Sequence, residues 1–537
     1  MKVAVIAPPY PLEEAPAPPL GVTYVAAAFE AAGAEVRVLD YIVSRYSPEK
    51  LRRELEDFQP DLVGSTSVTM NFPAAAEIVQ TAKAIRPTAV TAMGGPHVTF
   101  DAENTLRSYP GIDLLVLGEG ERTVAEFLPL THDRGAWSQV MGLAFLEDGR
   151  FVRTDERELI QDLETLPLPA RHLLPVSRYQ ALGFPVSIIT SRGCPYQCIF
   201  CQGRRMVGHR VRYRNPMSVV DEIEEVLSFG FGRINVADDL FLSNKVRARA
   251  ICEEILRRGL RFDWSAFVRV NIMDADVMRL MREAGCDSVS FGIETGSPEM
   301  LKRIRKRITL DQGRRAVEIC RDVGITPHAS FMVGLPGETP ETLRQTQEYA
   351  DSLEIIYGYH FLAPLPGTTV REEIDRYDLE ILTHDWSLYD ANRPVVQTSH
   401  VSAEQIQAFV DEFEEKNNVR WEDMKERHRQ GKTTPDEGLR VEGQVRLEFT
   451  YRLLSEDIIE EHCRFPLNGH PLDMEAEETL LKAKISEVTG SDGKLVAQVV
   501  GDFIEKGYLK GSTNGDSFEW NWAETKKIPL RSSSANA

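Results

Sequence analysis

Three cysteines stand within eight positions of one another in "SRGCPYQCIFCQG" (191–203): Cys194, Cys198 and Cys201. The spacing C-x3-C-x2-C is not a zinc pattern, because structural zinc sites close a tetrahedron with two separated ligand pairs. No second pair is at hand: Cys252, Cys286 and Cys320 sit in stretches that read as element cores, and Cys463 is far along the chain. Thiolates are the usual ligands of iron–sulfur clusters, four to a cluster. Three from one loop leave one iron open to a substrate or cofactor. The competing reading is three cysteines gathered in a loop without a task.

Composition bounds the setting. The 537 residues suffice for about three or four domains of ~100–200 residues. At 42% hydrophobic and 27% charged, packed cores are expected throughout. A formal charge of −20 argues against a nucleic-acid partner, whose phosphates demand a basic surface. The one basic stretch, "LKRIRKRITL" (301–310), reads as a solvated helix face rather than a phosphate contact. "MKVAVIAPPY" is apolar for only five residues, too short for a signal segment, and reads as an opening strand. "YVAAAFEAAGAEV" carries two glutamates and cannot span a bilayer, so no membrane span is expected. Seven cysteines without a repeated spacing argue against a disulfide framework and for a reducing, cytoplasmic setting.

Elements must now position the cysteines. Over residues 1–130 strand and helix signals alternate: "KVAVIAPP", the helix of "GVTYVAAAFEAAGAEVRVLD" with a turn at Gly33 and a strand from Val36, "DLVGSTSVT", the helix "PAAAEIVQTAKAIR", then "TAVTAMGGPHVT" and "IDLLVLGEGE". Such alternation implies a doubly wound α/β parallel sheet covered on both faces, with ligands beyond the carboxyl ends of the strands. Those ends carry Pro8, Pro9, Ser65 to Thr69, Gly94, Gly95 and Gly118 to Gly120. Residues 131–180 read as a hairpin about Asp148-Gly149 followed by a proline-rich linker. Over 181–375 the alternation restarts with six strand candidates, "VSIITS", "RINVADD", "FDWSAFVRV", "SVSFGIET", "HASFMVGLP" and "IYGYHFLAPLP". This predicts a partial (β/α)6 barrel with functional residues at the C-terminal strand ends. Residues 376–430 read as a helical extension. Residues 431–537 form a further, mainly helical unit whose "LVAQVVGDFIEKGYLKG" and "SFEWNWAE" resemble the last helix and wing of a winged helix, and the terminal "RSSSANA" is expected to be disordered.

A cysteine triplet C-x3-C-x-aromatic-C, with Phe200 before the last cysteine, at the end of the first strand of a six-strand barrel, resembles the radical SAM superfamily. The resemblance implies a [4Fe-4S] cluster on Cys194, Cys198 and Cys201, with S-adenosyl-L-methionine (SAM) chelating the open iron. Reductive cleavage would then yield a 5′-deoxyadenosyl radical, and an electron donor such as flavodoxin or ferredoxin is implied. At successive strand ends, Asp238 and Asp239 in "NVADDLF" stand where the family grips the SAM amino group. Arg269 in "SAFVRVN" suits the carboxylate, Glu294 and Ser297 in "FGIETGS" the ribose, and Gly334 in "MVGLPGET" the adenine. Tyr359 and His360 could line the cavity, with core packing the default.

Residues 1–130 resemble the cobalamin-binding domain of B12-dependent radical SAM enzymes in "PPLGVTYVAAAFEAAGAEVRVLD", "GGPHVTF" and "LVLGEGERT". The resemblance implies cobalamin contacts at Pro9, Gly21, Ser65, Ser67, Thr69, Asn71, Gly94, Gly95, His97, Gly118, Glu119 and Gly120. Thr69 to Asn71 would lie nearest the lower side of the cobalt. "APPYPLEEAPAPPLG" lacks the Asp-x-His-x-x-Gly motif that supplies a lower imidazole in many B12 domains, and His97 reads as a loop residue near the corrin rather than a ligand. The leading reading is a cobalamin-dependent radical SAM methyltransferase acting on an unactivated carbon or phosphorus centre of a small-molecule or peptide substrate, through methylcobalamin and the adenosyl radical. Alternatives are a non-methylating member performing oxidative cyclisation, ring rearrangement or C–C bond formation, and a non-catalytic cobalamin- or cluster-binding sensor. A methylthiotransferase is disfavoured, since residues 1–193 hold no cysteine.

Overall fold

The computed structural model describes residues 1–12, 15–467 and 472–527; "RSSSANA" lies outside them. Two parallel sheets dominate. The first contains β1 (Lys2–Ala7), β2 (Glu35–Asp40), β3 (Leu62–Thr66), β4 (Val90–Gly94), β5 (Leu114–Val116), β6 (Leu143–Glu147) and β7 (Arg150–Arg153), in the order β2-β1-β3-β4-β5-β6-β7. The first five pair in parallel, and the hairpin β6–β7 extends the same sheet as an antiparallel edge. Asp148 and Gly149 both adopt positive φ, +48° and +78°, the requirement of a tight two-residue hairpin turn. Val3 to Ala7 are all buried, as expected of a strand with helices on both faces.

One helix that the sequence reading passed over, Pro48–Phe58, packs beside β2. Ser47 Oγ accepts the Lys50 amide, proline opens the first turn, and Leu51, Leu55 and Phe58 share the buried face.

The second sheet is the barrel: β8 (Val186–Ile188), β9 (Arg233–Val236), β10 (Asp263–Val268), β11 (Cys286–Glu294), β12 (Thr326–Val333) and β13 (Ile356–Phe361), in sequential order and all parallel. Side chains alternate across each strand. In β10, Trp264, Ala266 and Val268 are buried against the helices, while Ser265 and Phe267 face the lumen, Phe267 remaining 48% exposed. In β13 the same rule separates the two residues singled out in the sequence. Tyr359 packs on Phe331, Phe409 and Phe413, and His360 is exposed on the opposite face.

Beyond the barrel, Ala403–Arg429 and Pro435–Ser455 pack as a helical hairpin. The final unit places the helices Met474–Thr489 and Gly493–Glu505 before a sheet of β14 (Arg464–Pro466), β16 (Ser517–Trp522) and β15 (Leu509–Asn514). It is docked on the first sheet's side of the molecule. Asp457 accepts the Arg45 amide at 3.2 Å and Lys50 Nζ at 2.7 Å, and Tyr451 Oη donates to Tyr10 O. Among the described residues, no helix is long and apolar enough to cross a membrane.

Candidate functional site

The cysteine loop springs from the end of β8 and is closed at its base. Ser191–Arg192 pairs antiparallel with Arg212–Tyr213, and the Cys194 amide donates to Gly208 O at 3.0 Å. Gly193 holds φ +113°, which side-chain-bearing residues rarely adopt. At its far side the Ile199 amide donates to Ile304 O, anchoring the loop to the barrel. Burial raises the Cys194 thiol and pushes that of Cys201 up to about 11, although Cys201 remains exposed at the loop surface. Ligation therefore releases protons from these thiols. Among the described residues no three His, Cys, Asp or Glu side chains converge as a mononuclear ion needs. A cubane makes a different demand, because each thiolate takes its own iron. The donor set therefore suits an iron–sulfur cluster.

The barrel's strand ends surround this loop with charge. Arg269 stacks its guanidinium 3.6 Å from the Tyr196 ring centroid, sits 3.9 Å from Cys198 Sγ and donates to Lys306 O. Asp239 is exposed, with its carboxylate accepting the Gly193 amide. Glu294 follows a bulge in β11 and holds φ +75°; bulges beside sites re-aim a side chain. Its Oε1 accepts Lys306 Nζ at 2.5 Å, both residues being buried. Lys306 Nζ also lies over the Phe200 ring, 5.8 Å from its centroid.

Four expectations change here. Asp238 is not free to grip an amino group: its carboxylate accepts the amides and hydroxyls of both Thr190 and Ser191, at 2.5–3.0 Å. It tethers the start of the cysteine loop. The basic stretch is not one solvated helix face, since its helix ends at Arg303, Arg305 and Arg307 hold positive φ, and Lys306 is only 6% exposed. Lys306 is thus a site residue the sequence reading missed, because nothing local distinguishes it from the arginines around it. Ser297 lines a separate polar groove with Arg303, Gly337, Thr339 and His400. Gly334, at φ +79°, spends its amide on Glu338 Oε2 at 2.5 Å, and burial pushes the Glu338 carboxyl up to about 8.

A cavity of about 410 Å³ opens between the two sheets. From the first sheet it is lined by Gly21, Ser65, Gly94, Gly95, Gly118, Glu119 and Gly120, with apolar walls including Val5, Phe29, Leu62 and Phe127. From the barrel it receives Arg192, Gly203, Met206 and Asp239. Its size is that of a small-molecule site. The glycines bring backbone against the space, and a Cβ on Gly95 would lie 2.5 Å from Ser67 O. Ser67 Oγ and Thr69 Oγ1 are buried without a partner, but neither residue belongs to the cavity lining. Apolar walls and bare glycine backbone suit a macrocyclic cofactor with an apolar face and an amide fringe.

Not every expected contact is present. His97 is fully buried on the far side of β4, stacked 3.9 Å from Phe72 and edge-on to Trp386; burial pulls its pKa down to about 4. It faces an aromatic box rather than the cavity. Glu119 lines the cavity, yet its carboxylate is occupied by Arg192, Arg212 and the Ile160 amide. Asn71 Oδ1 accepts the Val68 amide, and Pro9 lies in the loop after β1, outside the cavity lining.

The architecture is that of a radical SAM barrel joined to a doubly wound, ligand-binding sheet. Residues 14–128 match the B12 binding domain and residues 188–350 the radical SAM superfamily. An uncharacterized methyltransferase of Pyrococcus horikoshii is 35% identical over 396 residues, 73% of this chain and 86% of that protein. The anaerobic magnesium-protoporphyrin IX monomethyl ester cyclase of Rubrivivax gelatinosus is 32% identical over 393 residues, 71% of this chain and 70% of that one. The solved structure of the cobalamin-dependent S-adenosylmethionine radical enzyme OxsB shares the fold, with TM-score 0.67 at 17% identity over 94% of this chain and 80% of that one. The chain belongs to the cobalamin-dependent radical SAM enzymes, with a [4Fe-4S] cluster, SAM and cobalamin as cofactors.

Proposed function

We propose that the chain is a methyltransferase, moving a methyl group to an unactivated carbon or phosphorus centre of a small molecule. The observation that carries this reading is the shared cavity, into which both the glycine-rich strand ends and the cysteine loop open. When bound, the cofactors supply the radical and the methyl group; the chain positions and shields them. In this reading Cys194, Cys198 and Cys201 hold the cluster. Arg269 is held by Lys306 O and Tyr196 beside Cys198, where its fork suits a carboxylate. Asp239, exposed beside the loop and engaged only by the Gly193 amide among the described residues, takes the ammonium role expected of the pair. Lys306 holds Glu294 oriented for ribose hydroxyls. Gly94, Gly95, Gly118 and Gly120 let the corrinoid approach backbone. Relatives named as methyltransferases support the reading.

A second reading, radical cyclisation without methyl transfer, draws on the cyclase relatives. The reduced, reconstituted protein incubated with candidate substrates and SAM carrying a trideuterated methyl group separates them. A product heavier by that methyl, alongside 5′-deoxyadenosine, is expected. Loss of hydrogens without methyl gain would replace the reading with the second, and absence of 5′-deoxyadenosine would end both.

A further inference from the structure

Four buried charges bridge the two sheets where the cysteine loop begins. Glu119 and Glu121 come from the turn "LGEGE" after β5; Arg192 and Arg212 are the facing pair in the ladder that closes the cysteine loop. Arg192 Nη1 donates to Glu119 Oε1 at 3.1 Å and its Nη2 to Glu121 Oε1 at 2.6 Å. Arg212 grips both oxygens of Glu119, at 2.8 and 2.9 Å, and also donates to Ile160 O and Val207 O. All four residues are at most 9% exposed. The Arg192 guanidinium lies over the Tyr24 ring of the first domain, 5.2 Å from its centroid.

Forked arginine–carboxylate bonds define both distance and angle, which a single point charge does not. Arg192 lies two residues before Cys194, and Glu119 sits between Gly118 and Gly120 on the wall of the shared cavity. A rigid link therefore runs from the corrinoid side of that cavity to the first cysteine. Burial alone would raise the Glu119 carboxyl, but Arg212 and Arg192 hold it below the ordinary carboxylate value, so the link stays charged.

We propose that Glu119 and Glu121 are positioning residues that clamp the cysteine loop to the C-terminal end of β5 in the first sheet and so set the separation between cluster and cobalamin. The radical chemistry supplied at the cluster and the group supplied by the cobalamin would have to reach one substrate position, and a loosened clamp would let the two cofactors drift apart. The inference rests on the two-cofactor reading for its spectroscopic arm only.

Two readouts test it on the Glu119→Gln variant. In the holoenzyme, pulsed dipolar EPR between the reduced cluster and cob(II)alamin is expected to give one narrow distance distribution in the wild type and a broader one in the variant. Iron and corrinoid content should be unchanged, and 5′-deoxyadenosine formed per product should rise several-fold. In the cofactor-free chain, hydrogen exchange over 186–194 and 207–214 is expected to quicken at least tenfold while that over 263–268 stays unchanged. An unaltered distance distribution, even with faster exchange, overturns the positioning role; unaltered exchange overturns the clamp itself. If Glu119→Gln does not fold, Arg192→Lys, which keeps the charge and loses the fork, is read by the same measures. A chain that takes up no corrinoid would defeat the proposed function, and the exchange arm alone would then judge the clamp.

Discussion

The two sheets present their C-terminal ends to one cavity but prepare them in opposite ways. The barrel end is crowded with charge that is already spoken for: Asp238 by Thr190 and Ser191, Glu294 by Lys306, and Arg269 by Lys306 O and Tyr196. The first sheet's end offers mainly glycine backbone and apolar walls, and its two carboxylates, Glu119 and Glu121, are turned to Arg192 and Arg212. The difference teaches how each side binds. A charged site must keep its ions solvated by protein, because an unpaired buried charge is prohibitive. A site for a large, mostly neutral macrocycle needs room and shape.

The largest effect should come from the loop shared by both. Cys198→Ala removes a cluster ligand, so iron content and the brown absorbance should fall away and 5′-deoxyadenosine should become undetectable, while corrinoid uptake persists. Parallel loss of corrinoid would show that the two ends are not separable as described.

Next, Lys306→Met leaves Glu294 buried without its cation and should destabilise the chain by about 3–5 kcal/mol, read from the urea midpoint at constant slope. Combining it with Glu294→Gln should recover most of that loss. A double variant as unstable as the single would mean the pair is not coupled.

A pH effect belongs to the same end. Glu338 is raised from an ordinary 4.5 to about 8 by burial, so the native chain holds a proton that the unfolded chain releases. That stability is fully present below about pH 4.5 and is lost as pH rises through 8, by roughly 1.4 kcal/mol per pH unit. Glu338→Gln should flatten the dependence of Tm between pH 5 and 8; identical slopes in the two proteins would refute the assignment.

The smallest change tests the first sheet's end. Thr69→Val removes an orphaned hydroxyl, so the cofactor-free chain should be unchanged or stabilised by under ~1 kcal/mol. Corrinoid retention, followed by gel filtration and absorbance, should be undiminished, because Thr69 lies outside the cavity lining. A several-fold weakening would return Thr69 to the cobalamin site.

Much of the fold was legible because it is written in local patterns. All six barrel strands overlap the stretches read as strands, two of them starting two residues earlier, and the Asp148-Gly149 turn announced its hairpin. The helix Pro48–Phe58 was equally legible, from Ser47 before a proline and apolar residues at turn spacing, and was simply passed over. The charged residues were harder. Asp238 and Asp239 are adjacent acids at one strand end, yet one is saturated by Thr190 and Ser191 just beyond β8 and the other is exposed, a difference set by which side of the strand faces Thr190. Glu119 was read among cofactor-binding glycines, and its partners lie 73 and 93 residues away. His97 follows a glycine pair at a strand end like the cavity residues, but the short helix Pro96–Phe100 turns it toward Phe72 and Trp386.

By itself the sequence determined the chemistry available: the cysteine spacing, the two runs of alternating strand and helix, and glycines where backbone must meet a ligand. These depend on covalent spacing and on periodicities of two and 3.6 residues, which need no partner to be expressed. Only the tertiary structure decided which charges are free. An ionised side chain is committed by whatever opposite charge or hydrogen-bond donor folding brings within reach. For Glu119, Glu294 and Asp238 that partner came from another strand, loop or domain.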